Sequence, residues 1–215
     1  MSVTELVSTP HGEARLHRDR SRHPIATLVL SHGAGGGVDT MDLQALAADL
    51  PREGITVIRV EQPWHVAGKK IAPRPAVLDE CLVAATDKLR VRTPLVIGGR
   101  SAGARSAART ARETGAAGYL ALAFPLHPPG RPEKSRLDEL EAVQVPALVI
   151  QGERDAFGRP EEFPPDRDLT VVPGADHSFK VGRQADISQQ EVATIIVEAT
   201  LEWIVRDVVG NRMAR

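Results

Sequence analysis

Aromatic residues are scarce: four Phe, two Trp and one Tyr in 215 residues, little material for a deep pocket built around long lipid chains. Only one cysteine is present. No intramolecular disulfide can form, and the chain suits a reducing compartment, so a cytoplasmic location is expected. That residue, Cys81, shares a helical face with Leu78, Leu82, Ala85 and Leu89, which marks it as a buried side chain and not a nucleophile. Neither sign of charge dominates: 27 basic residues against 28 acidic leave a formal charge of −1, and nucleic acid is not expected as the principal partner. The locally basic stretch from His17 to His23 lies between two strand-like runs and reads as a solvated hairpin or loop. No apolar run approaches a membrane span, and none of signal-peptide length opens the chain, so no membrane partner is expected. No His, Cys or carboxylate spacing resembles a zinc site, which speaks against a metal hydrolase; no cofactor is expected.

What is present is enough apolar material, 42% of residues, for the core of one α/β domain spanning 1–215 and no room for a second. From about Ile25 onward, strand-like and helix-like patterns alternate, the pattern of a mostly parallel sheet with helices on both faces. Ile25 to Ser31, Ile55 to Val60, Leu95 to Gly98, Gly118 to Ala123, Ala147 to Gln151 and Leu169 to Val172 read as strands. Leu43, Leu46, Ala47 and Leu50 mark a helix that Gly54 ends, and a loop is expected from Glu61 to Pro75. Ser188 and Glu191 form a capping box, with Ile187 and Val192 as its hydrophobic staple. The helix that follows carries Val192, Ile195, Ile196, Ala199 and Trp203 on one stripe and should pack near the last strand.

Gly99-Arg100-Ser101-Ala102-Gly103 fits the G-x-S-x-G nucleophile elbow and sits between an apolar strand and a helix-compatible run. A serine at the tip of such a turn has a strained backbone, and side chains at the flanking glycines would collide with neighbouring chain. The motif points to an α/β-hydrolase fold. Serine is a poor nucleophile until a base takes its proton, so a histidine held by a carboxylate is required. Asp155 follows the strand Ala147 to Gln151, and His177 is the one histidine that comes after both Ser101 and Asp155. Asp176 and Glu153 compete for the acid role, but Asp176 adjoins the histidine and cannot easily reach its far ring nitrogen.

The run His32-Gly33-Ala34-Gly35-Gly36-Gly37 has neither a P-loop nor a dinucleotide pattern. Placed after an early strand, it suits the loop that supplies an oxyanion donor, and the backbone N–H groups of Ala34 and Ala102 are the expected pair; a flexible turn is the alternative. Four further residues, Trp64, Arg100, Arg105 and His127, are expected near the nucleophile as a substrate pocket. The two arginines would attract an acidic acyl group, or pair with carboxylates such as Glu61 to pin loops, the reading favoured here.

Taken together, Ser31-His32-Gly33-Ala34-Gly35, Gly98-Gly99-Arg100-Ser101-Ala102-Gly103-Ala104-Arg105, Phe124-Pro125-Leu126-His127-Pro128-Pro129-Gly130, Gln151-Gly152-Glu153-Arg154-Asp155 and Gly174-Ala175-Asp176-His177 resemble a small α/β-hydrolase family related to dienelactone hydrolases. That family has bacterial members and eukaryotic relatives, one of them a subunit of a chromatin-modifying complex. The resemblance covers most of the chain and implies fold and catalytic apparatus, but no substrate. Serine stands where the dienelactone hydrolases proper use cysteine, which counts against dienelactone itself. The expected function is cleavage of a small ester-like substrate by Ser101, His177 and Asp155; the alternative is a binding or scaffold protein that keeps the fold without turnover. The two dozen or so residues between Ala123 and Ala147 are too few for a lid domain.

Overall fold

The computed structural model describes residues 2–210. Eight strands form one sheet: β1 (Ser2–Thr9), β2 (Gly12–Asp19), β3 (Ala26–Ser31), β4 (Ile55–Glu61), β5 (Leu95–Arg100), β6 (Gly118–Leu122), β7 (Ala147–Gly152) and β8 (Leu169–Val172). Their spatial order is β1-β2-β4-β3-β5-β6-β7-β8. The pairs β1–β2 and β2–β4 are antiparallel, and every other pair is parallel.

Among the described residues five α-helices lie between strands, α1 (Met41–Asp49), α2 (Pro63–Val66), α3 (Pro75–Asp87), α4 (Ala102–Thr110) and α5 (Leu137–Glu141), and α6 (Gln189–Trp203) follows β8. They cover both faces. Leu28, Leu30, Leu120, Leu122, Leu148 and Ile150 point to one side with Leu43 and Leu46 of α1 and Ile196 and Trp203 of α6. Their neighbours Val29, Tyr119, Ala121 and Val149 point to the other, against Leu82 and Ala85 of α3 and Ala104 and Ala107 of α4. The side-chain period of two puts alternate residues of one apolar run into two cores, which is why these strands are apolar throughout.

Two regions depart from the sequence expectations. The N-terminal hairpin joins the main sheet, and His17 lies within β2, paired with Arg59 of β4; only residues 20–23 of the expected His17–His23 loop form a largely exposed turn. Its alternation, Ala14 and Leu16 buried between more exposed neighbours, is short and crowded by charge, so it is weak in sequence. The expected loop from Glu61 to Pro75 contains the four-residue α2, opened by Pro63 at its first position, where a missing N–H costs nothing. The segment 124–146 holds only a 3-10 turn and the five-residue α5, with no lid. No helix among the described residues is long and apolar enough to cross a membrane.

The start of α6 has the expected box. Ser188 Oγ accepts from the Glu191 N–H at 3.2 Å, and the Glu191 carboxylate accepts from the Ser188 N–H at 2.7 Å. Ser188→Ala should cost about 1 kcal/mol. Equilibrium urea unfolding should show it as a lower midpoint with an unchanged slope, and an unchanged midpoint would deny the cap any role.

Candidate active site

The turn from β5 into α4 places Ser101 at φ 52° and ψ −113°, a region sparsely populated by residues with a side chain and strained for serine. Close packing holds it there. A Cβ on Gly99 or on Gly103 would run into the Ser31 carbonyl, so the two glycines let β5 and α4 lie against the end of β3. The Ser101 N–H donates to the Leu122 carbonyl at 3.0 Å, and its own carbonyl accepts from the Arg105 N–H at 3.1 Å.

Two loops from neighbouring strands meet at its hydroxyl. His177, past β8, has Nε2 at 2.9 Å from Ser101 Oγ and Nδ1 at 2.8 Å from Asp155 Oδ2. Asp155 is fully buried, with both carboxylate oxygens engaged: Oδ2 also accepts from the Gln151 side-chain amide at 2.9 Å, and Oδ1 from the Phe157 N–H at 2.8 Å. With a carboxylate on Nδ1, the histidine carries its proton there and presents Nε2 as acceptor to the serine hydroxyl. The rival acids are occupied elsewhere. Asp176 Oδ1 accepts from the N–H groups of Ser178 and Lys180 in its own turn, and Glu153 accepts from the Gly174 N–H.

Sequence reasoning missed two side chains here. Gln151 also donates to the carbonyls of Phe124 and Gly158, fixing the carboxylate's floor, and Phe157 stacks on the His177 ring at 4.1 Å between centroids. Gln151 was legible only as the one polar residue ending an apolar strand, and Phe157 had no sequence signal.

The glycine-rich loop is anchored by His32. Its Nε2 accepts the Gln62 N–H at 3.0 Å, so its proton sits on Nδ1 and is donated to the Gly33 carbonyl at 2.8 Å. Burial pushes the His32 pKa down, against the raising effect of the Gly33 carbonyl; the neutral ring is the form the fold holds. Gly33 lies against Ser101, since a Cβ there would come 3.3 Å from the serine Cβ. Among the described residues the N–H groups of Ala34 and Ala102 have no hydrogen-bond partner, and Ala102 opens α4 beside the serine, where the helix dipole is positive.

Each of the four expected pocket residues makes contacts within the fold. Arg100 is buried, donates to the His177 carbonyl at 3.0 Å and stands 3.4 Å from the buried Asp42 of α1. Burial pushes the Asp42 pKa up, with Arg100 opposing. Arg105 forms a fork on Glu139 of α5 at 2.8 and 2.5 Å. Arg109 bridges Glu139 and Asp79 of α3, and burial of Glu139 is more than offset by these cations, which lower its pKa. The arginines therefore pair with carboxylates, but with Asp42 and Glu139; Glu61 takes Arg15, His17 and His65 instead. His127 faces the Pro128 carbonyl with one ring nitrogen and Glu162 with the other. Both acceptors favour the imidazolium, and its pKa is raised, chiefly by the carbonyl. Trp64 packs on His32 at 5.5 Å between centroids, which places it behind the glycine-rich loop. Among the described residues no group of three His, Cys, Asp or Glu side chains is placed to hold a metal ion.

The sequence matches the alpha/beta hydrolase domain family over residues 24–205. Among solved structures it is similar to a protein from Xanthomonas campestris described as an α/β serine hydrolase without lid, at 20% identity over 94% of each chain with a TM-score of 0.73. It is also similar to dienelactone hydrolase from Anabaena variabilis, at 17% identity over 97% of this chain and 98% of that one, TM-score 0.73. Est1E from Butyrivibrio proteoclasticus is 16% identical over 94% of this chain and 99% of its own, TM-score 0.70. At such identities the likeness is one of fold.

Two outcomes are expected from this geometry. Arg105→Ala should lower stability by about 2 kcal/mol, because it strips a charged fork from Glu139, while KM values for charged and neutral esters change alike; a selective rise for carboxylate-bearing esters would make Arg105 a substrate ligand. Since His32 titrates lower folded than its unfolded value of 6.5, its contribution is complete above that pH and is lost as pH falls toward the folded pKa. His32→Gln should therefore be less stable than wild type at about pH 8 yet lose less between roughly pH 7 and 5. Parallel stability profiles of the two proteins by chemical denaturation would contradict the buried neutral ring.

Proposed function

The chain belongs to the alpha/beta hydrolase domain family, and from that premise we propose that it is a serine hydrolase cleaving carboxylic esters of small or polar acids through an acyl-enzyme. The observation that carries the reading is the unbroken hydrogen-bonded line from Ser101 Oγ through His177 to the buried Asp155. Ser101 attacks the ester carbonyl as His177 Nε2 takes the hydroxyl proton. The imidazolium then hands that proton to the departing alcohol, and water repeats the sequence to release the acid. Asp155 keeps the ring's tautomer and stabilises its charge. The N–H groups of Ala34 and Ala102 receive the charge that develops on the carbonyl oxygen.

A small or polar acyl group follows from the short segment between β6 and β7 and from the scarcity of aromatic residues. The one cysteine, Cys81, is buried, in keeping with a cytoplasmic enzyme.

Ser101→Ala and His177→Ala should each lower kcat by at least about 10⁴-fold, and Asp155→Asn by on the order of 10³- to 10⁴-fold through a misplaced or wrongly tautomerised ring. A fluorophosphonate probe should label wild type and not Ser101→Ala, with circular dichroism unchanged. If wild type neither takes the probe nor turns over a panel of esters, thioesters and amides, the fold serves binding and not catalysis.

A further inference from the structure

The ring of His177 is held by Asp155, Ser101 and the stacked Phe157, but a ring pivots on its own backbone, and that backbone is sparsely tied. The turn 176–180 closes mostly on itself: the Asp176 N–H donates to the Lys180 carbonyl and the Phe179 N–H to the Asp176 carbonyl. Among the described residues the His177 main chain makes one hydrogen bond, and its donor comes from a distant part of the sequence. Arg100 Nη2 donates to the His177 carbonyl at 3.0 Å.

Arg100 is the residue before the nucleophile and closes β5. Strand alternation turns its side chain to the face of Val96, which is also the face of α1. There its Nε stands 3.4 Å from Asp42 Oδ2, with Arg100 8% and Asp42 1% exposed. A buried guanidinium is costly unless paired, and Asp42 is the one carboxylate paired with it among the described residues. The side chain also borders the glycine-rich loop, since a Cβ on Gly36 would lie 4.0 Å from Arg100 Nη1. One planar fork therefore touches the main chain of the base and a fixed anion, while its own backbone runs directly into Ser101.

Resting on the hydrolytic reading above, we propose that Arg100 is a positioning residue for the base: it sets where the His177 backbone stands relative to Ser101, and Asp42 holds the guanidinium in place. Nε2 must stay within hydrogen-bond reach of the serine hydroxyl during proton transfer, and a displacement of about 1 Å can cost on the order of 10²-fold in rate. Both the charge and the shape of arginine are needed. Lysine would keep the charge but has a single ammonium to divide between the His177 carbonyl and Asp42.

Arg100→Met keeps most of the side chain's length and removes every donor. At a temperature where circular dichroism shows the variants folded, its kcat for a small ester should fall about 10²-fold while KM stays within about threefold of wild type. Arg100→Lys should still lose at least about tenfold in kcat. A second readout needs no turnover: in protein labelled with ¹⁵N-histidine, the ring-nitrogen shifts at about pH 9, above the ordinary imidazole range, report the tautomer of His177, assigned by its absence from His177→Ala. Wild type should show the Nδ1–H form alone, and Arg100→Met a mixture of the two tautomers. If Arg100→Met fails to fold, Arg100→Lys, which keeps a cation beside Asp42, carries both readouts. The proposal is overturned if kcat stays within about twofold of wild type, if KM rises with kcat unchanged, which would make Arg100 a substrate ligand, or if Arg100→Lys recovers the full rate. Wild type idle toward every ester would defeat the hydrolytic reading instead, and the tautomer would then decide the positioning role: a single Nδ1–H form in the variant as in wild type rejects it.

Discussion

Ser101 is held in a backbone conformation that an isolated chain would leave, and the close approach that holds it is the constraint on which the rest of this edge depends. The end of β3 must lie against the start of α4 with no side chain between them, which Gly99 and Gly103 permit. That contact brings the glycine-rich loop after β3 beside the serine, because loop and contact are consecutive in sequence. The strain is then repaid by position: the hydroxyl stands clear of its own strand, at the mouth of a helix with free N–H groups.

The acid and base depend on a second requirement, that a buried carboxylate be paired and hydrogen-bonded. Asp155 meets it with a main-chain N–H, a side-chain amide and the imidazole. Gln151 links that carboxylate to the chain at Phe124 and Gly158, so the β6 and β7 loops share one polar floor. Phe157, whose N–H completes the carboxylate's shell, also stacks on the ring, and one short loop thus sets both position and tilt of the base.

Charge in this molecule works mostly as fastening. The Arg105–Glu139–Arg109–Asp79 network joins α3, α4 and α5, and Arg100 joins α1 to the His177 loop. Glu61 gathers Arg15, His17 and His65 at the end of β4; burial raises its pKa, and these partners more than reverse that. Such partly buried pairs cost desolvation and return it only with good geometry, which the forked contacts of Arg105 and Arg109 supply.

The sequence by itself determined the elements whose signals are local. Apolar runs marked the parallel strands, Ser188 and Glu191 marked the start of α6, and the two glycines around Ser101 marked the elbow, since each rule involves residues a few positions apart. Chain order was enough to single out His177. The hairpin β1–β2 was less legible, because its alternation is short and its partner strand lies forty residues away. What only the tertiary structure decided was every pairing across the sheet: the contact of the expected Asp155 with the imidazole, Asp42 and Glu139 rather than Glu61 for the arginines, Gln151 and Phe157 as supports, and Trp64 behind the glycine-rich loop. The physical reason is that a side chain's partner is set by which strand ends become neighbours, and strand order is a property of the packed sheet, not of any window of sequence.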